Sequence, residues 1–183
     1  MECKKAYTEQ GIQKRSNKYQ VKKHYTDMTV QEKAIIQQHL LTVKKLDRHP
    51  HYMQREQECK QDIELSDILA TIHRKDLPRN IIEYNETYSN GRLEQRVLVR
   101  IARVYNRMLN GRKKSEQCFG FVVLNLTSGQ VLTGYFNSVH DRHDTLRKFR
   151  YNNNLIIRPI KKGGYSWKER QDIESNEMYH RHK

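Results

Sequence analysis

Apolar side chains are sparse at the start of the chain and recur with two different periods after it. Residues 1–26 carry almost no aliphatic positions and read as a flexible polar arm. Thr29-Val30-Gln31-Glu32 then places a hydroxyl and a carboxylate three residues apart, the spacing of a capping box. Val30, Ala34, Ile36, Leu40 and Val43 follow as a broad apolar stripe, which predicts a helix from there to about Leu46. Residues 47–60 are polar. A second helix is predicted over about 62–75, where Leu65, Ile68, Leu69 and Ile72 fall at i, i+3, i+4 and i+7. Asp62, Glu64 and Asp67 lie at its start and His73, Arg74 and Lys75 at its end, an order that suits the helix dipole. Pro78 ends it.

Beyond Pro78 the period changes from 3.6 to 2. Strands are predicted over 81–87, 95–105, 118–126 and 131–137, separated by turn signals at Ser89-Asn90-Gly91, Asn110-Gly111 and Thr127-Ser128-Gly129-Gln130. The expected architecture is α+β: two N-terminal helices followed by a four-stranded antiparallel meander sheet, in one domain over 27–160. A basic polar tail at 161–183 completes it, holding Tyr165 and the single tryptophan, Trp167.

Charge changes this picture. Lys and Arg number 35 against 21 Asp and Glu, a net +14, which predicts an acidic partner. The excess is not even. Residues 1–26 hold 7 bases and 2 acids, 147–183 hold 10 and 4, and the 120 residues between hold 18 and 15. Basic ends on a nearly balanced centre suit a phosphate backbone, and RNA is the expected partner. No apolar run approaches the length of a spanning helix, so no membrane partner is expected. Cys3, Cys59 and Cys118 are odd in number and far apart, so neither a disulfide framework nor a metal clamp is expected. With no apolar leader at the N-terminus, the expected location is the cytoplasm. No HExxH, P-loop or dinucleotide motif occurs, and no metal or cofactor is expected.

The densest chemistry lies at 137–147, where Asn137, His140, Asp141, Arg142, His143, Asp144, Thr145 and Arg147 follow the last predicted strand. Polar groups at a strand end are a common setting for a site. Metal-free cleavage of RNA needs a base for the 2′-hydroxyl, an acid for the leaving oxygen, and cations for the phosphate. His143, Asp141, Arg100, Tyr135 and Thr145 are the candidate set. An imidazole, which ordinarily titrates at about 6.5, exchanges protons near neutrality. The alternative is a polar loop whose Asp and Thr cap a turn. A second cluster, Arg48 to Arg55, would put His51 and Arg55 on one face if it is helical. Both are added to the candidate catalytic set. Thr133, Tyr135 and Asn137 share one strand face, and Arg96 and Arg100 share another; whether the two faces coincide depends on register. Arg96, Arg147, Lys148, Arg150, Lys161 and Lys162 are the candidate phosphate-binding residues.

The segments SDILATI, IIEYNE, QRVLVR, FVVLNL and TSGQVLTGYFN, in that order, resemble small RelE/barnase-like RNase-fold proteins of phages and plasmids. The matching positions are Val131, Thr133, Tyr135, Asn137, Asp141, His143, Thr145, Leu146 and Tyr151, within about 48–157. The resemblance implies a metal-independent endoribonuclease core. The N-terminal helix and the basic ends depart from it. In size and charge the chain is also similar to type II anti-CRISPR proteins that act on guide RNA, which implies a guide RNA or a host effector nuclease as partner. The competing expectations are a non-catalytic inhibitor seated in an effector's nucleic-acid channel and a DNA-binding accessory protein.

Overall fold

In a computed structural model the described residues are 20–59, 63–89, 91–107, 115–141, 150–166, 168–169 and 171–172, with no side-chain description for 55–59 and 89. The elements run β1 (Gln20–His24), α1 (Val30–Thr42), β2 (Asp47–Arg48), α2 (Pro50–Cys59), α3 (Leu65–Ile72), β3 (Ile81–Ser89), β4 (Arg92–Arg107), β5 (Glu116–Asn125), β6 (Gln130–Ser138) and β7 (Tyr165–Ser166). The strands form one mixed seven-stranded sheet in the order β1-β3-β4-β5-β6-β2, with β7 paired to the start of β4. Consecutive strands β3 to β6 are antiparallel, and β2 runs parallel to β6.

The fold is α+β, but the expected layout of two leading helices and a four-stranded antiparallel sheet is overturned. The described residues hold three helices and seven strands, and the described chain enters as a strand. Each missed element lacks an apolar signature. β1 (QVKKH) has a single aliphatic side chain; pairing with β3, from Gln20↔Thr87 to His24↔Glu83, makes it a strand. Residues 20–26 are therefore not the flexible arm expected over 1–26. β2 and β7 are two residues each, too short to show a period. In α2 only Tyr52 of the first four side chains is buried, so no stripe announces it.

Local chemistry explains where the helices start. Thr29 caps α1 by accepting from the Glu32 N–H, and Glu32 returns the bond from the Thr29 N–H at 2.8 Å, as the capping box requires. α2 opens on Pro50, whose ring suits the first helical position, and the His49 ring accepts from the His51 N–H at 3.2 Å.

One sheet face carries the core. Val97, Val99, Ile101, Val122, Leu124, Val131 and Phe136 pack with Ile36, Leu40, Ile63, Ile68 and Ile72. Two sheet glycines let this layer close. A Cβ on Gly120 would lie 3.0 Å from Ile63, and one on Gly134 would lie 3.1 Å from the Tyr52 ring. Tyr52 is locked further by its hydroxyl, which donates to the Ile63 carbonyl at 2.9 Å. This seats the first turn of α2 against β6.

Residues 150–161 wrap the β1 edge. The Asn152 N–H donates to the Lys22 carbonyl at 2.8 Å, and Leu155 and Ile157 enter the core. A buried ion pair holds this strap. Lys23 Nζ lies 2.9 Å from Glu32 and 2.8 Å from the Leu155 carbonyl, while the Ile157 N–H donates to Glu32 at 3.0 Å. Burial works against the Glu32 carboxylate, but Lys23 and the N–H groups of Thr29 and Ile157 prevail and hold its pKa below the ordinary value. Further on, β7 and the turn before it dock on β4. Gly164, at φ +73, sits where a Cβ would come within 2.4 Å of the Leu93 carbonyl oxygen. The tail expected from 161 onward is therefore in part sheet.

Candidate nucleic-acid interface

Because strand side chains alternate, register decides what the second face of the sheet carries. Three cross-strand rows build it. The first is Lys22, Asn85, Arg96 and Asn125; the second is His24, Glu83, Leu98, Val123 and Thr133; the third is Arg100, Phe121 and Tyr135. The faces of Arg96/Arg100 and of Thr133/Tyr135/Asn137 therefore coincide.

Lys22, Asn85 and Arg96 of the first row and Glu83, Leu98, Val123 and Thr133 of the second floor a groove of about 300 Å³ that crosses the sheet from β1 to β6. Lys22, Glu83, Asn85 and Arg96 line it toward β1. Leu132, Thr133 and His51 line it toward β6. Leu132 is the extra residue of a β-bulge between the Val123↔Thr133 and Leu124↔Val131 pairs, a feature that re-aims side chains beside sites. His51 reaches the groove from the first turn of α2, the turn that Tyr52 anchors on Gly134.

The charges in the groove are interlocked. Lys22 Nζ lies 2.6 Å from Glu83 Oε1, and the Tyr151 hydroxyl donates to Glu83 Oε2 at 3.0 Å. Arg96 pairs with Glu94 at 2.5 Å, and Glu94 also accepts from Asn125 at 3.1 Å. The Tyr151 ring meets His24 edge-on at 5.2 Å, so the strap closes the β1 end. The Thr133 hydroxyl is buried without a hydrogen-bond partner among the described residues, which leaves it donor and acceptor capacity for a ligand.

The expected catalytic set is divided by this geometry. His51 is in the groove. Arg100 and Tyr135 share the polar face but not the groove. The Arg100 guanidinium donates to Asn80 Oδ1 at 3.3 Å and lies 4.8 Å from the Phe119 ring centroid. Asp141 is exposed in a bend past β6, its N–H donating to the Ser138 carbonyl at 3.1 Å. His143 and Thr145 lie outside the described residues, as does the Arg55 side chain.

Among the expected phosphate ligands Arg96 is in the groove, Arg150 and Lys162 are exposed, and Lys161 pairs with Glu169 at 2.5 Å. Arg147 and Lys148 lie outside the described residues. The residues missed from the sequence are Lys22, Glu83 and Asn85. No signal marks them, since Glu86 breaks the apolar alternation that would set Glu83, Asn85 and Thr87 apart as one polar face of β3, and β1 has a single aliphatic side chain.

Titratable groups with displaced pKa values sit mainly away from the groove. Burial, with the neighbouring Glu86 charge, pushes the Tyr84 phenol well up on the core face. Burial and the bond to Asp67 raise Tyr105. Among the described residues, no group of three or more His, Cys, Asp or Glu is arranged to hold a metal ion. No helix among them is long and apolar enough to cross a membrane. Comparison of the chain with family models, curated proteins and solved structures yields no match.

Proposed function

We propose that the protein is directed at single-stranded RNA and cleaves it without a metal ion, with the groove as its reaction centre. One observation carries the reading: an imidazole, a carboxylate and two cations converge on a space of about 300 Å³ on a rigid sheet face. Lys22 and Arg96 are the phosphate ligands. Arg is suited to forked binding of phosphate oxygens, Lys to point attraction. Glu83 and His51 are the proton-exchanging pair. The base removes the 2′-hydroxyl proton, and that oxygen attacks the adjacent phosphorus. The P–O5′ bond breaks, and the acid protonates the departing oxygen. The products are a 2′,3′-cyclic phosphate and a 5′-hydroxyl. A phosphate entering the groove also competes for Lys22, which releases Glu83 Oε1 to act as base.

A second reading is favoured by the contacts of Glu83. Both its oxygens are engaged, by Lys22 and Tyr151. If they stay engaged when RNA is bound, the protein grips RNA without cleaving it.

Incubation with end-labelled single-stranded RNA in EDTA separates the readings. Cleavage leaving 2′,3′-cyclic ends, absent at a position carrying a 2′-deoxyribose and in His51→Ala, is the expected result. Binding without such products selects the second reading. Neither binding nor cleavage overturns both. Similarity in size and charge to anti-CRISPR proteins makes a guide RNA, with and without its effector nuclease, the first substrate to try.

A further inference from the structure

The groove is not charged along its whole length. One end offers Lys22 and Arg96, but across β4, β5 and β6 the floor turns apolar, through Leu98, Val123 and Leu132. None of the three belongs to the hydrophobic core, which lies on the other face of the sheet. Leu98 is 3% exposed, while Val123 and Leu132 are half-buried. The space above them is open, since it is part of the same volume of about 300 Å³. The proposed reaction uses the charged end and gives this apolar floor nothing to do.

Register sets the spacing of the two ends. Leu98 follows Arg96 by two residues on β4, about 7 Å at the usual strand rise. Val123 is the direct partner of Leu98 on β5, about 5 Å further across, and Leu132 is the bulged residue of the next strand. A ligand that meets both ends is anionic at one and weakly polar at the other, with a short link between them. A nucleotide has that form, because one sugar ring separates its phosphate from its base. A bare phosphate would use only the charged end. The volume is at the lower limit for small-ligand sites, which leaves room for one base and not for a stack of them.

We infer that the Leu98–Val123–Leu132 floor is a subsite for a single unpaired nucleobase, that of the nucleotide whose phosphate lies between Lys22 and Arg96. The inference rests on the RNA reading above and adds a substrate class: RNA in which that base is unpaired and turned out from its neighbours. Duplex RNA does not fit, because its base faces are stacked on one another and its accessible surface is backbone and shallow groove. The three side chains bind in this assignment and take no part in proton transfer.

The test is a titration by fluorescence anisotropy with labelled hexamers that lack 2′-hydroxyls and so cannot be cleaved. One is a backbone of six base-free sugar phosphates. Four others carry a single 2′-fluoro nucleotide in that backbone, with uracil, cytosine, adenine or guanine. A sixth is a 2′-fluoro hexamer with all its bases. A base held in a single-strand site contributes about 1–3 kcal/mol, roughly a 5- to 150-fold change in Kd. Wild-type protein should bind at least one single-base hexamer more tightly than the base-free backbone by a factor in that range. Val123→Thr combined with Leu132→Thr, which keeps β-branched strand formers in the sheet but makes the floor polar, should lose most of that ratio. Should the double variant not fold, the near-isosteric Val123→Thr alone should lower the ratio about threefold or more. A folded variant that keeps the full ratio overturns the subsite. So does a wild type that gains nothing from any of the four bases, whether or not a variant folds. In both cases tight binding of the hexamer with all its bases leaves the RNA reading standing. Absence of wild-type binding to that hexamer overturns the reading and the subsite together.

Discussion

Glu32→Gln tests whether the strap that closes the groove is held by charge. The carboxylate accepts from Lys23 through both oxygens at 2.9 Å, from the Thr29 N–H at 2.8 Å and from the Ile157 N–H at 3.0 Å. All its partners are donors, so an amide NH2 must face one of them. The change also leaves the Lys23 ammonium buried without a counter-charge. The side chains are 5% and 8% exposed, so solvent screening offers little relief. Breaking a buried pair by removing one partner costs about 3–5 kcal/mol. Against a total stability of about 5–15 kcal/mol, that is a large share, and it corresponds to a Tm lower by roughly 6–20 °C.

The pH dependence has a definite sign. The folded pKa of Glu32 lies below its ordinary value of 4.5. Its contribution is therefore complete above that value and is lost as pH falls through the folded pKa. The gap between wild type and Glu32→Gln should be widest near neutrality and shrink in acid. Lys23→Met combined with Glu32→Gln should cost less than the two single changes added, since the orphaned charge is gone. Urea unfolding followed by circular dichroism, at neutral pH and again near the acid limit of the folded state, measures all three. A loss below about 1 kcal/mol at neutral pH, or a gap that does not narrow in acid, would refute the clamp.

His51→Ala should lower RNA cleavage by roughly 10²–10⁴-fold, the usual share of acid–base catalysis. Its effect on unfolding should stay within about 0.5 kcal/mol because the ring is exposed, as cleavage assays and urea melts on one preparation will show. Gly134→Ala should cost about 1–3 kcal/mol by overpacking; it should also depress cleavage, since the added Cβ would meet Tyr52 at 3.1 Å and push the turn that carries His51. His39 is held neutral: burial lowers its pKa from 6.5, opposed only by the bond of Nε2 to the Leu126 carbonyl at 2.9 Å. The unfolded chain therefore takes up more protons, and stability should fall as pH drops below 6.5 toward the lowered value. Thermal melts at several pH values should show that slope in wild type and a weaker one in His39→Gln.

What was legible in the sequence follows from which forces leave a periodic trace. The expected strands at 81–87, 95–105, 118–126 and 131–137 fall on β3 to β6, because β-branched and aromatic residues facing a core repeat every second position. The helix after Thr29 was announced by its capping box and apolar stripe. β1 left no trace, since its partners on β3 lie 59 to 67 positions away in the chain and Lys23 reaches Glu32 only after the chain has turned into α1. The site inherited this blindness. Arg96 and His51 stand out in the sequence, Arg96 because it shares a strand face with Arg100 and His51 because it belongs to the Arg48–Arg55 cluster. Lys22 and Glu83 do not, because a lysine in a basic stretch and a glutamate in a strand are unremarkable until register sets them 2.6 Å apart. The polar run at 137–147 stands out by its local density, and of it residues 137–141 are described.

The strap ties the two faces of the sheet together at β1. Successive residues of that strand point to opposite sides: Lys22 reaches Glu83 on the polar face, and Lys23 reaches Glu32 on the core face. The same chain segment meets both, through the Tyr151 hydroxyl on one side and the Ile157 N–H on the other. On the proposed reading the position of Glu83 is therefore set by interactions in the core. Phosphate competition for Lys22 can free one oxygen of Glu83, but Tyr151 continues to hold the other and fixes the carboxylate's direction. A base that is oriented by one bond and released at the other by its own substrate stays inactive in the empty groove. On that reading the Lys22–Glu83 contact at 2.6 Å is the resting state of the groove.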